Sequence, residues 1–255
     1  MNIPQIMTDY IVELDRSETV EACFDALSGG AQKLGFQGIV YTSIAMGLKP
    51  LEDHGPLFFR SEGFDANFLA HYEAENFAEH DYTIKRILED NLASSHWQKE
   101  IAAGCLLADE QRVIDVAKYD YGINNGLSIP LLKNAYHMAG SSVVSEEEDL
   151  QFDKLLEERL EPLQAMIRLF HNKTYADIGL RKALYLPLLQ SLSEVEKLVL
   201  RYSVSGLPLK MIEQATGMSA SYAGNVRAAL FRKLGVSNVA QLSYIAGLHR
   251  ILEML

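Results

Sequence analysis

Two sets of side chains in this 255-residue chain have types and spacing that could do chemistry. The first lies between Ala220 and Leu234. Residues on a helix advance by about 100° each, so Ala223, Val226, Leu230 and Leu234 share one side and Ser221, Asn225, Ala228 and Arg232 the opposite one. One side can be buried. The other offers short polar groups, a methyl and a cation, which is what a helix in a DNA major groove must present to base edges. An ordinary surface helix would show the same two faces, so the neighbouring elements must decide. The second set alternates aromatics with one acid: Phe64, Phe68, Tyr72, Asp81 and Trp97. Each also has a plainer role. Phe64 and Phe68 at i, i+4 suit a core, Trp97 is a large filler, and Asp81 can cap a helix beginning at Tyr82.

The elements around the first set form a pattern. Ser193 and Glu196 stand in capping-box spacing before an apolar stripe of Val195, Leu198, Val199 and Tyr202 that stops at Gly206. Pro208 suits the first turn of a short second helix, with Leu209, Ile212 and Ala215 as its buried side. Thr216-Gly217-Met218-Ser219 reads as the turn, Gly217 being free to take positive φ and Ser219 to cap the third helix. A fourth helix is expected after Ser237, with Leu242, Ile245, His249 and Leu252 on one stripe.

Upstream the periodicity mixes. Ser17 to Leu34 predicts a helix burying Val20, Cys23, Phe24, Leu27, Ala31 and Leu34. Residues 38–44, 56–60, 126–131 and 138–144 read as strands. Helices are expected over 65–72, 82–91 and 109–119, and a long one after Ser145, with Glu146, Glu147 and Glu148 at its positive end and its pattern stopping at Phe170. The expected fold class is therefore α+β: an N-terminal α/β/α sandwich around an antiparallel sheet, plus a C-terminal all-α, four-helix helix-turn-helix domain. The boundaries fall at 1–172, a linker at 173–190, and 191–255. Any α/β/α sandwich shares the N-terminal outline, which names no function.

The formal charge is −11, yet from Ser191 onward seven Lys/Arg face four Glu, a net of +3 that leaves −14 to the remainder. A small basic module tied to an acidic one suits phosphate contact at one end and repulsion from DNA at the other. So small an excess suggests that tight binding uses two copies, hence a homodimer. No apolar run has membrane-spanning length, and the N-terminus lacks a signal peptide's basic start, which points to the cytoplasm and to no membrane partner. Cys23 and Cys105 are expected to be buried thiols, as in a reducing compartment. The seven His show no metal-ligand spacing, and no P-loop or nucleophile motif is visible, so neither an enzyme nor a metal site is expected and no cofactor is implied.

The C-terminal residues Leu192, Ser193, Glu196, Gly206, Ile212, Ser219 and Lys233-Leu234-Gly235-Val236 resemble, in order and spacing, the DNA-binding domain of LuxR-type transcription regulators. Tyr222-Ala223 replaces that family's usual Thr-Val pair, and Val226 replaces a common His. The N-terminal half resembles the autoinducer-binding domain of the same family, whose sensor recognises N-acyl-homoserine lactones. Tyr72 and Asp81 match its pocket in spacing, Trp97 corresponds after a short insertion, residues 125–131 match its glycine-containing strand, and Ser142 falls where a pocket Ser or Thr commonly lies. Phe64 and Phe68 stand where the family's Tyr hydroxyl and Trp indole donate to the ligand's two carbonyls. A buried carbonyl without its hydrogen bond costs about 1–3 kcal/mol. A more apolar pocket is implied, with the Tyr82 hydroxyl as a substitute donor. Its ligand is an acyl-homoserine lactone, another small organic signal, or none.

The resemblance implies a dimeric, ligand-responsive transcription regulator of double-stranded DNA. Ser221, Asn225 and Arg232 would then lie nearest base edges, with Lys210, Arg227 and Lys233 near phosphates. Two alternatives stay open: a regulator that folds without ligand, its pocket filled by its own aromatics, and an anti-activator that forms heterodimers with a related regulator.

Overall fold

The computed structural model describes residues 2–208 and 210–255. They divide into two compact units. One comprises Met1–Ser43, Leu57–Lys133 and Met138–Tyr175, the other Ile44–Pro56, Asn134–His137 and Ala176–Leu255.

The first unit opens on α1 (Ile3–Arg16), a helix that the sequence reading passed over; it is capped by Asn2 and carries Pro4 in its first turn. After the break at Ser17, Thr19 caps α2 (Val20–Leu34) by accepting from the Ala22 N–H, and Gly35 closes it at φ 103°. All six side chains expected on its inner face are buried. Strand β1 (Gly38–Ala45) leads to a short α3 (Lys49–His54), and the chain returns as β2 (Leu57–Arg60). There follow α4 (Ala66–Ala74), α5 (Tyr82–Leu88), a two-residue β3 (Ser95–His96), α6 (Trp97–Ala102) and α7 (Ala108–Tyr121). The hairpin of β4 (Asn125–Asn134) and β5 (His137–Ser145) precedes the long α8 (Asp149–Ala176), which continues past Phe170. The order across the sheet is β2-β1-β5-β4-β3. β1 with β2, and β3 with β4, are antiparallel.

Strand alternation shows that both faces of the sheet are covered. On β1, Tyr41 packs its ring on Phe170 of α8 at 4.9 Å, while its neighbour Val40 joins an apolar cluster with Phe64, Phe68 and Trp97. β2 repeats the division: Phe59 meets Phe24 and Phe170, and Phe58 packs against the opposite cluster. The register places Tyr41 opposite Phe59 and Val40 opposite Arg60, so the two strands agree on which face is which. The α/β/α arrangement and the α+β class expected from sequence are thus observed. Cys23 is buried as expected. Cys105 is exposed, because Gly104 at φ 68° turns the chain outward after α6 and ends the apolar pattern there.

In the second unit, α9 (Ile178–Leu184) and α10 (Leu186–Ser191) precede α11 (Glu194–Val204), α12 (Lys210–Thr216), α13 (Ala220–Leu234), α14 (Val239–Leu248) and α15 (Ile251–Met254). The Ser193/Glu196 capping box is present. Ser219 accepts from the Tyr222 N–H, Gly217 sits at φ 75°, and Gly235 closes α13 at φ 73°. Val199, Ile212 and Ala223 form the small core shared by α11, α12 and α13. Three side chains expected on inward stripes, Val195, Ala215 and Leu252, are exposed. Ala215 is exposed, because one short helix turns only Ile212 fully inward, and Leu209 lies outside the described residues. Leu252 is exposed because Arg250, at φ 51°, breaks the expected fourth helix into α14 and α15 and rotates its stripe. The segment Ile44–Pro56 packs within this unit: the His249 ring lies 3.0 Å from the Met46 carbonyl by Nε2 and 2.7 Å from the Tyr185 hydroxyl by Nδ1. A carbonyl can only accept, so Nε2 carries the proton and Tyr185 donates to Nδ1; burial lowers the His249 pKa and keeps the ring neutral.

Candidate functional site

The first group of predicted site residues gathers on one face of the sheet. Phe64 precedes α4 and Phe68 sits in its first turns, so the two rings meet at 6.1 Å. Phe68 in turn meets Tyr72 at 6.1 Å, one helical turn further on. Trp97 lies at the start of α6 and stacks over Gly126 of β4, where a Cβ would stand 2.3 Å from the indole. That close approach explains a glycine inside a strand. Phe64, Phe68, Tyr82 and Trp97 are buried in one cluster with Val40, Ile114, Ala117, Ile123 and Val144, and Tyr72 packs against it.

The polar groups of this cluster bond to one another. Asp81 takes the capping role considered for it and a second protein partner. Its Oδ1 accepts from the Thr83 backbone N–H at 2.8 Å, capping α5, and from the Thr83 hydroxyl at 2.7 Å. Its Oδ2 accepts from the Tyr72 hydroxyl at 2.8 Å. Burial, and then the Asp81 carboxylate, push the Tyr72 pKa far up, so the phenol stays protonated and donates. The Trp97 indole donates to Ser128 Oγ at 3.0 Å, and that oxygen lies 3.0 Å from Ser142 Oγ. The Tyr82 hydroxyl accepts from Ser95 at 3.0 Å, and burial likewise raises its pKa. Sequence reasoning missed Ser128 and Ser95. Their only signal was position on strands, since Ser is common everywhere and nothing local marks a buried acceptor.

The second group lies along α13. Ser221, Asn225, Ala228 and Arg232 are exposed while Ala223, Leu230 and Leu234 are buried, so the helix faces the way its period requires. The side chains of Ser221, Asn225 and Arg232 make no hydrogen bond or ion pair among the described residues. Lys210 is exposed at the start of α12, and Arg227 is half-buried. Lys233 is engaged: its ammonium reaches both Glu196 oxygens at 2.8 and 2.9 Å, tying α13 to α11. Burial works against the Glu196 charge, but the bonds from Lys233 and Ser193 prevail and hold its pKa below the usual range. Tyr222, 53% exposed beside Ser221, was not among the expected contacts. No group of His, Cys, Asp and Glu suited to a metal ion occurs among the described residues, and no helix among them is long and apolar enough to cross a membrane.

A family model for the autoinducer-binding domain matches residues 19–174. Solved structures of similar fold include Escherichia coli SdiA, at 15% identity and a TM-score of 0.53 over 98% of this chain and 99% of that one. SdiA in complex with octanoyl-rac-glycerol aligns at 15% identity and 0.53, over 97% and 95%. CepR2 of Burkholderia cenocepacia, an N-acylhomoserine lactone dependent LuxR family transcription factor, aligns at 19% identity and 0.53, over 69% of this chain and 99% of that one. At these identities the likeness establishes the fold. No curated protein sequence matches the chain.

Proposed function

Since the chain belongs to the autoinducer-binding-domain family, that of LuxR-type quorum-sensing regulators, we propose that it is a ligand-responsive transcription regulator. A sensor over 1–172 takes a small organic signal, 173–190 joins it to the reader, and 191–255 binds double-stranded DNA as a homodimer in the cytoplasm. The observation that supports DNA binding best is the outward face of α13. A helix capped by Ser219, after a tight turn at Gly217, leaves Ser221, Asn225 and Arg232 to solvent on one side. Asn can pair in a bidentate manner with adenine, and Arg with guanine. Lys210 and Arg227 are the nearest candidates for phosphates, and Lys233 contributes whatever donor capacity Glu196 leaves it.

Phe64, Phe68, Tyr72, Asp81, Tyr82, Trp97 and Ser142 would line the signal site. Acyl signals are its candidate ligands, whether an N-acylhomoserine lactone, on which CepR2 depends, or an acylglycerol such as the octanoyl-rac-glycerol in complex with SdiA. Ligand with higher affinity for the DNA-competent state then shifts the population toward it. The internal pairing of Tyr72, Asp81 and Trp97 favours a second reading, a regulator that folds with its own aromatics filling the site. Mass spectrometry of protein purified from its own host separates the two by whether a small molecule leaves with it.

The DNA assignment is tested by selecting genomic fragments and measuring gel shifts at fixed salt. Asn225→Ala should erase discrimination at one base position, a loss of about 1–3 kcal/mol, while Lys210→Ala weakens all sequences alike. Recovery of no defined site would reject DNA reading and favour an anti-activator acting through heterodimers.

A further inference from the structure

We infer that His96 is an acid-operated cap: neutral, it closes the first turn of α6, and on gaining a proton it pairs with Asp153 and releases that turn together with Trp97. The inference concerns the folded sensor unit and stands whichever ligand the protein takes.

His96 ends β3, where it pairs with Leu127 of β4, and it is the N-cap of α6. It is 9% exposed, and its ring meets Phe152 of α8 edge-on at 5.2 Å. Its Nδ1 accepts from the Lys99 backbone N–H at 3.4 Å. A ring nitrogen that accepts carries no proton, so the neutral imidazole has its hydrogen on Nε2. That nitrogen is buried without a hydrogen-bond partner among the described residues. Asp153 Oδ1 stands 3.6 Å from it, just beyond hydrogen-bond reach, and the Lys99 ammonium lies 2.6 Å from the same oxygen.

One proton exchanges these partners. The imidazolium has a hydrogen on both nitrogens, so Nδ1 can no longer accept from the Lys99 N–H and the cap is lost. Its charge is drawn to Asp153 and repels the ammonium now beside that carboxylate. The charged groups facing the ring are Lys99 on α6 and Asp153 and Asp149 on α8. From β4 come Leu127 and Asn125, both uncharged, and the Asn125 amide donates to Asp149 and the Glu147 carbonyl. Burial, and then Lys99, lower the His96 pKa from 6.5 against the pull of Asp153 and Asp149. The unfolded chain therefore takes the proton first. The cap is intact above pH 6.5 and is lost as pH falls through the native value below it. A six-residue helix has few internal bonds, so its cap is a large share of what holds it. Trp97 is the first residue of that helix, and its indole reaches Ser128 from there.

Full-length protein is followed from about pH 8 to about pH 5 by hydrogen exchange, corrected for the intrinsic rate, and by the emission maximum of Trp97, the single Trp. Protection of the α6 amides should fall about fivefold, the equilibrium equivalent of one lost N-cap, while α2 and α8 keep theirs. The emission should shift to the red with the same midpoint, below about pH 6.5. His96→Asn keeps a capping oxygen that does not titrate, so both changes should vanish. Asp153→Asn removes the imidazolium's new partner and should move the midpoint to lower pH. Protection lost equally in α2, α6 and α8, or unchanged in α6 across the range, would overturn the proposal. So would a transition that survives His96→Asn or a midpoint that Asp153→Asn leaves in place.

Discussion

The sensor interior and the outward face of α13 use similar side chains to opposite ends. In the interior, Tyr72 is bound to Asp81, Trp97 to Ser128, and Ser95 to Tyr82, and rings pack on rings around them. On α13, Ser221, Asn225 and Arg232 are left to water, above a core of Ala223, Leu230 and Leu234. A polar group that already has a protein partner contributes to folding and must be released before it can serve a ligand. One bonded only to water can exchange that water for a base edge or a phosphate with little reorganisation. The first region is bonded within itself; the second is left to solvent, where the proposed reading places a partner.

The contrast can be broken most severely at Trp97. Trp97→Ala should cost about 3–5 kcal/mol of stability, the usual range for a filled aromatic site, read by urea unfolding followed by circular dichroism. A cost below about 1 kcal/mol would mean that the indole borders empty space and that the interior is less packed than α13's inner face.

Acid tests the interior next. Burial lowers the His171 pKa to about 4 in the native state, against about 6.5 when unfolded. The unfolded chain therefore binds the proton first. Stability from this residue is intact above pH 6.5 and is lost as pH falls toward 4, by roughly 3 kcal/mol in total. The Tyr41 hydroxyl stands 2.6 Å from the His171 Nδ1, so protonation also disturbs that contact. His171→Asn should flatten the slope in pH-dependent unfolding; an unchanged slope would place the titrating group elsewhere.

The smallest effect sharpens the comparison through two glycines. Gly126→Ala sets a Cβ against the Trp97 ring and should destabilise by about 1–3 kcal/mol. Gly224→Ala meets nothing within 4 Å and should stabilise α13 by up to about 1 kcal/mol. Paired thermal melts check both signs. If Gly224→Ala also weakens DNA binding, the bare backbone there serves close approach to a partner.

Local rules carried far in this chain. Capping residues, turn glycines and the 3.6-residue period located α2, α11 and α13 and fixed which face of α13 is buried, because each depends on residues within a turn or two. The joint spacing of Phe64, Phe68, Tyr72, Asp81 and Trp97 likewise marked one cluster. What the sequence left open depended on partners far along the chain. Asp81's carboxylate could be read as a cap or as a ligand contact, and only the fold showed that it is shared between Thr83 and the Tyr72 hydroxyl. Trp97's acceptor is Ser128 on a distant strand, Lys233 is held by Glu196 on another helix, and Arg250's left-handed backbone splits a helix whose period had seemed unbroken. Hydrogen bonds and ion pairs between remote residues have no period to read. They are decided when the sheet and helices close, by which groups lose their water together.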